Sequence, residues 1–186
     1  MFDMQAEAGD ASSRRTRPAM DATTLRNLQA PIKQRYRDDP STARIRAHAE
    51  ATLKPDAIAC TVPTWHSDTI AGLHPAAGGD GSEACSADLL LQALVACAGV
   101  TLNAVLTAMG VPVRSARVVA DGIWDARGTL GVDREVPVGL TEIDVRFEID
   151  SDAEREKLER IVQTVERYCV IFQTLRTSPK MSVALA

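Results

Sequence analysis

Between Leu89 and Val113 the chain carries no charged residue. A run this long and apolar folds as a membrane span or as the centre of a buried core. Three features favour the core. Gln92, Gly99 and Asn103 recur on one helical face, and Thr101 and Thr107 add further hydroxyls. The N-terminal flank GDGSEACSAD is acidic where a membrane anchor would favour a basic cluster. Alternating segments lie on both sides, as in a water-soluble domain. At 186 residues the chain is one domain, too small to cover such a helix on every side. The expectation is that a second copy covers part of it, with no membrane involved.

The flanking sequence supplies the other layers. Residues 1–22 are small and polar without apolar period and read as a disordered leader, with the folded domain spanning 23–186. Residues 24–37 read as a helix interrupted at Pro31, within a helical N-terminal extension over 23–40. ARIRAHAEATL alternates with period two and IACTV is short and β-branched, so both read as strands. The stretch 66–82 is glycine-rich but holds no phosphate-cradle spacing, and reads as a loop. RSARVVADGIWDARG, including Trp124, and LTEIDVRFEID alternate as strands. SDAEREKLERIVQTVERY has helical period, CVIFQTLR is a second helix stopped by Pro179, and MSVALA is a closing strand. The order predicts an α+β fold with a mostly antiparallel sheet.

Net charge is −4 and only seven residues are aromatic, as three Phe, two Trp and two Tyr. Neither an electrostatic footprint for nucleic acid nor a stacking platform is present. The four cysteines, Cys60, Cys85, Cys97 and Cys169, are too few and too spread for a secreted disulfide framework. The acidic opening MFDMQAEAGD lacks the apolar core of a signal peptide. A cytoplasmic protein with reduced thiols is expected. Cys60, His66, His74 and Cys85 are all competent zinc ligands, but their spacing fits no zinc motif, and no metal or cofactor is expected. A cysteine hydrolase using His66 or His74 has no local signature. Cys97, in the middle of the uncharged run, reads as a small buried hydrophobe or as a reactive thiol. Cys169 stands at the start of its helix, where unpaired N–H groups stabilise a thiolate, and Arg176 lies seven residues on along the same face.

ADLLLQALVACAGVTL and ERYCVIFQTLR together resemble the paired cysteine segments of the OsmC/Ohr family, the osmotically inducible and organic hydroperoxide resistance proteins. The strand block VPVGLTEIDVRF between them fits as well, and the resemblance runs over residues 43–186. It implies an intertwined homodimer in which antiparallel sheet wraps around a long central helix. It also implies a peroxidase in which Cys97 attacks an organic hydroperoxide, Cys169 resolves the sulfenic acid, and an external dithiol reduces the resulting disulfide.

The family activates its first cysteine with an arginine from the N-terminal region, ordered by an acid ten residues before that cysteine. Here that place is Ala87, and Asp88 follows it. Ser86 reads as the cap of the central helix, with Asp88 complementing its dipole. Arg46 is the leading candidate for the arginine, beside Arg44, Arg35 and Arg37. A mid-helix Cys97 is expected to need such a cation. The family usually places proline after its second cysteine, whereas this chain has Val170. The alternative the departures leave is an OsmC-fold binding or redox-sensing protein with weak or no turnover.

Overall fold

A computed structural model describes residues 20–185. The expected leader, residues 1–22, lies outside this range except for its last three positions. Helix α1 (Ala22–Asp38) begins within it, because the Asp21 carboxylate accepts the Thr24 N–H at 2.7 Å and caps the first turn. The expected interruption at Pro31 does not occur. Proline removes one intrahelical bond there, and α1 runs through it in contact with the helix Ser86–Ala108.

Residues 44–51 form no strand, which corrects the reading of ARIRAHAEATL. Only Thr52–Leu53 (β1) pairs, with β2 (Ala59–Pro63), in the register Thr52↔Thr61 and Leu53↔Cys60. Continuing the ladder toward residue 44 would require β2 to extend past Pro63. Proline has no N–H to donate, and Thr64 and Ser67 turn the chain there. Alternation alone cannot hold a strand without a partner edge.

The glycine-rich stretch holds a strand, β3 (Asp68–Gly72), antiparallel to β2 and parallel to the short β4 (Ala84–Cys85). Two of its glycines, Gly72 and Gly79, serve close packing. A Cβ at Gly79 would sit 1.8 Å from the Leu73 carbonyl oxygen, so no other residue fits that approach.

Helix α2 (Ser86–Ala108) is the uncharged run. It stops before Val113 because Gly110, at φ +60°, closes it in a Schellman turn. There the Val111 N–H reaches the Leu106 carbonyl at 3.0 Å, and the Gly110 N–H reaches that of Thr107. The helix is long and apolar enough to cross a membrane by length and composition. It instead commits one stripe to protein. Leu94, Ala98, Leu102 and Leu106, four residues apart, are its buried positions. They meet Ile161 and Val165 of the amphipathic helix α4 (Arg155–Tyr168) in a single cluster that also holds Val111 and Cys169.

Strands β5 (Ser115–Ile123) and β6 (Glu142–Asp150) pair antiparallel along their full length, from Ser115↔Asp150 to Ile123↔Glu142. Trp124 follows β5 and lies outside it. Ile143, Val145, Phe147 and Ile149 face the helices. On the other face Arg114 pairs with Asp150 and Asp152, Arg117 with Glu148, and Arg146 with Asp121. The connection contains a short helix that periodicity does not reveal, α3 (Ala126–Thr129), capped by Asp125. The Arg127 guanidinium holds the Asp125 carboxyl down at about 2.

Helix α5 (Val170–Arg176) closes the regular structure, ending before Pro179 is reached. Residues 181–185 form no strand, which corrects the reading of MSVALA as far as it is described, and Met181, Val183 and Leu185 stand exposed. The described residues make a mixed α+β fold with one four-stranded and one two-stranded sheet, antiparallel except at β3–β4.

Candidate functional site

Cys169 occupies the joint between α4 and α5. Its N–H donates to the Val165 carbonyl at 2.8 Å, closing α4, and its own carbonyl accepts the Gln173 N–H at 3.0 Å, opening α5. The side chain is 1% exposed and faces α2. Cys97 lies on α2 beside the buried stripe, half-buried, one turn before Thr101. The two cysteines are thus brought together, and both are free thiols.

Their electrostatics diverge. Burial pushes the Cys97 thiol up. Against it act hydrogen bonding from the Ile171 amide, the Cys169 thiol, the Val170 amide and, least, the Thr101 side chain. Together they win, and Cys97 sits below the ordinary cysteine range. Burial also raises Cys169. The Phe172 N–H opposes this, but the neighbouring Cys97 sulfur adds to it, and Cys169 ends above the ordinary range. The first proton leaves Cys97, and Cys169 remains its hydrogen-bond donor.

This corrects one expectation. The first amides of α5 face Cys97 across the α2–α5 contact. Those amides do not make Cys169 the thiolate, because its side chain turns into the core and is desolvated.

The remaining candidates lie elsewhere. Asp88 is exposed in the first turn of α2, about 13.5 Å of helix rise from Cys97. The cap at that end is Cys85 without a side-chain bond, so Ser86 is a helical residue and not the cap. Arg46 and Arg44 are exposed in the irregular segment 44–51. Arg35 stacks over Tyr36, and Arg37 bonds to Gln34. Arg176 pairs with Glu166 of α4, which takes up its charge, and its expected approach to a cysteine sulfur is not made. Gln173 adds a 2.8 Å bond to the Glu166 carbonyl, so the two side chains clasp α5 onto α4.

Among the described residues no group of three His, Cys, Asp or Glu is arranged to hold a metal. His74 caps a 3-10 turn, its Nδ1 accepting the Ala76 N–H at 3.0 Å, and its ring meets Trp124 edge-on at 5.5 Å. Both line a cleft of about 580 Å³ at the N-terminal end of α2, where Ala87 also lies. A smaller cavity of about 180 Å³, lined by Leu94 and Phe172, adjoins it and shares Ile143 and Leu175 with it. Apolar space therefore runs along α2 toward the cysteines. Sequence reasoning missed Thr101, the Val170 and Ile171 amides and the cleft. Only Thr101 left a signal, a hydroxyl four residues after a cysteine.

A family model described as OsmC-like protein matches residues 79–184. No curated protein matches the sequence. Among solved structures, an OsmC-like protein from Mycoplasma pneumoniae superposes with a TM-score of 0.61 at 19% identity, over 72% of this chain and 89% of that one. An organic hydroperoxide resistance protein from Elizabethkingia anophelis gives 0.58 at 14% identity, over 73% and 92%. A further organic hydroperoxide resistance protein, from Legionella pneumophila, gives 0.53 at 12% identity, over 72% and 93%. At these identities the likeness is one of fold.

Proposed function

The chain belongs to the OsmC-like protein family, and from that premise we propose that it is a thiol-dependent peroxidase reducing organic hydroperoxides through Cys97 and Cys169. The observation that carries this reading is the meeting of two free thiols, Cys97 packed against the cluster that holds Cys169, with Cys97 lowered and Cys169 raised from the ordinary cysteine range. A thiolate is the nucleophile in such chemistry, and hydrogen bonds to the sulfur favour it.

The reaction balances as follows. The Cys97 thiolate attacks the terminal oxygen of ROOH, the S–O bond forms and the O–O bond breaks. The alkoxide takes a proton and leaves as ROH. Cys169 then attacks the sulfenic sulfur, losing its own proton as the hydroxyl leaves as water, and the disulfide forms. An external dithiol reduces it by exchange and is itself oxidised to a disulfide. No cofactor enters these steps. The apolar cleft suits the organic part of the hydroperoxide.

The working unit is a homodimer in the cytoplasm. Val100, on a face of α2 away from α4, is 73% exposed, and Ile45, Val170 and Val183 also stand in water. A second copy offers these apolar groups a partner and gives the unpaired segments 44–51 and 181–185 an edge to join.

Cys169→Ser tests the division of labour. This variant takes up about one equivalent of cumene hydroperoxide and then stalls, with Cys97 trapped as a sulfenic acid that dimedone labels. Sustained turnover by Cys169→Ser with a dithiol contradicts the assignment. Ala87, where an acid would stand, favours a second reading as a redox sensor. A disulfide formed stoichiometrically by the wild type but not reduced by dithiols would select it.

A further inference from the structure

We infer that the cleft at the N-terminal end of α2 is a binding site for a small apolar molecule that carries a carbonyl or carboxylate oxygen, held by the ring N–H groups of His74 and Trp124. Its volume of about 580 Å³ is that of a small-molecule pocket, and Leu73, Leu90, Leu140 and Ile143 give it apolar walls. His74 and Trp124 bring ring N–H donors to those walls. They come from separate parts of the chain, His74 from the loop after β3 and Trp124 from just past β5, and their rings meet edge-on at 5.5 Å.

The donors are identified by the bonds around them. The Ala76 N–H donates to Nδ1 of His74 at 3.0 Å, so Nδ1 holds the lone pair and Nε2 carries the ring proton. Neither that Nε2–H nor the indole N–H of Trp124 has an acceptor among the described residues, where both rings are half-buried. Neither is sealed in, because no fully buried side-chain nitrogen or oxygen there lacks a partner. The two donors are therefore open to a molecule in the cleft.

The arrangement selects by exclusion. An apolar body that fills the cleft takes water away from both donors, and each N–H left without an acceptor costs about ten-fold in affinity. A carbonyl or carboxylate oxygen restores the bonds, because its lone pairs serve two donors. A molecule of equal bulk with no acceptor is rejected by the same two groups. Binding here is independent of the chemistry at Cys97. Where the cleft holds the organic part of a hydroperoxide, it favours one with such an oxygen away from the peroxide group, a step that rests on the peroxidase reading.

The test is isothermal titration calorimetry of the reduced full-length protein with three probes of one shape, 4-phenylbutanoate, 4-phenylbutanamide and 4-phenylbutylamine. The acid and the amide bind at least about ten-fold more tightly than the amine, whose ammonium group offers donors only. A preference for the acid over the amide assigns the site to a carboxylate, and equal binding assigns it to a carbonyl oxygen. Trp124→Phe keeps an aromatic wall and removes the indole N–H. It weakens the acid and the amide about ten-fold and leaves the amine within about two-fold. Should Trp124→Phe not fold, His74→Asp keeps an acceptor for the Ala76 N–H, presents no donor, and weakens the amide to the same extent. The proposal is overturned if no probe binds, if the amine binds as tightly as the amide, or if Trp124→Phe weakens all three alike. No probe is a peroxide, so selective binding by a protein that consumes no hydroperoxide sustains the site and removes the peroxidase reading instead.

Discussion

Cys97→Ser leaves a folded protein that consumes hydroperoxide no faster than buffer does. Serine is nearly isosteric with cysteine, and position 97 is only half-buried, so the α2 packing survives. The chemistry does not. An alcohol is far too weak an acid to be ionised by the hydrogen bonds that suffice for a thiol, and its oxygen cannot be carried to a sulfenic acid. The measurement is peroxide consumption with excess dithiol, beside far-UV circular dichroism of the same sample. Turnover retained in the serine variant would move the reacting thiol to Cys60, Cys85 or Cys169.

Ile161→Ala has the largest expected effect on stability. Ile161 is fully buried at the seam where α4 meets the Leu94–Ala98–Leu102–Leu106 stripe. Truncating it removes buried surface and leaves a cavity that helices fixed at both ends cannot close, at a cost of about 3 kcal/mol. Urea denaturation measures the loss, at one protein concentration so that any self-association is held equal between variants. A loss below about 1 kcal/mol would mean that α4 does not hold α2 in this way. In the proposed reaction the same seam holds the two cysteines. Val165 closes α4 onto the Cys169 N–H, so an α4 that loosens also moves Cys169 and the α5 amides away from Cys97.

These two residues also show what was legible in the sequence and what was not. The α2–α4 seam was legible because each helix writes its buried face locally, Leu158, Ile161, Val162 and Val165 at helical spacing in α4 and an uncharged run ended by Gly110 in α2. Strand β6 was legible for the same reason, alternating without a break from Glu142 to Asp150.

A strand needs more than its own residues. Residues 44–51 and 181–186 carry the pattern, but where the structure describes them they have no ladder within the chain. Strand β3 pairs on both sides although its glycine-rich surroundings read as loop. The lowering of the Cys97 thiol was hidden by the same non-locality. Its donors at Val170 and Ile171 belong to another helix and are backbone groups, which no side-chain motif announces. Arg46 is exposed in the irregular segment 44–51, and Arg176 pairs with Glu166.

The central claim is that Cys97 and Cys169 form one redox pair. Its most direct test is peptide mass mapping of the reduced wild-type protein after about one equivalent of cumene hydroperoxide, the amount consumed by a single thiol-to-sulfenate step. The account predicts one disulfide, joining the Cys97 and Cys169 peptides, with Cys60 and Cys85 still reduced. Oxidation confined to Cys60 or Cys85, or a Cys97 left reduced by the peroxide, would contradict it.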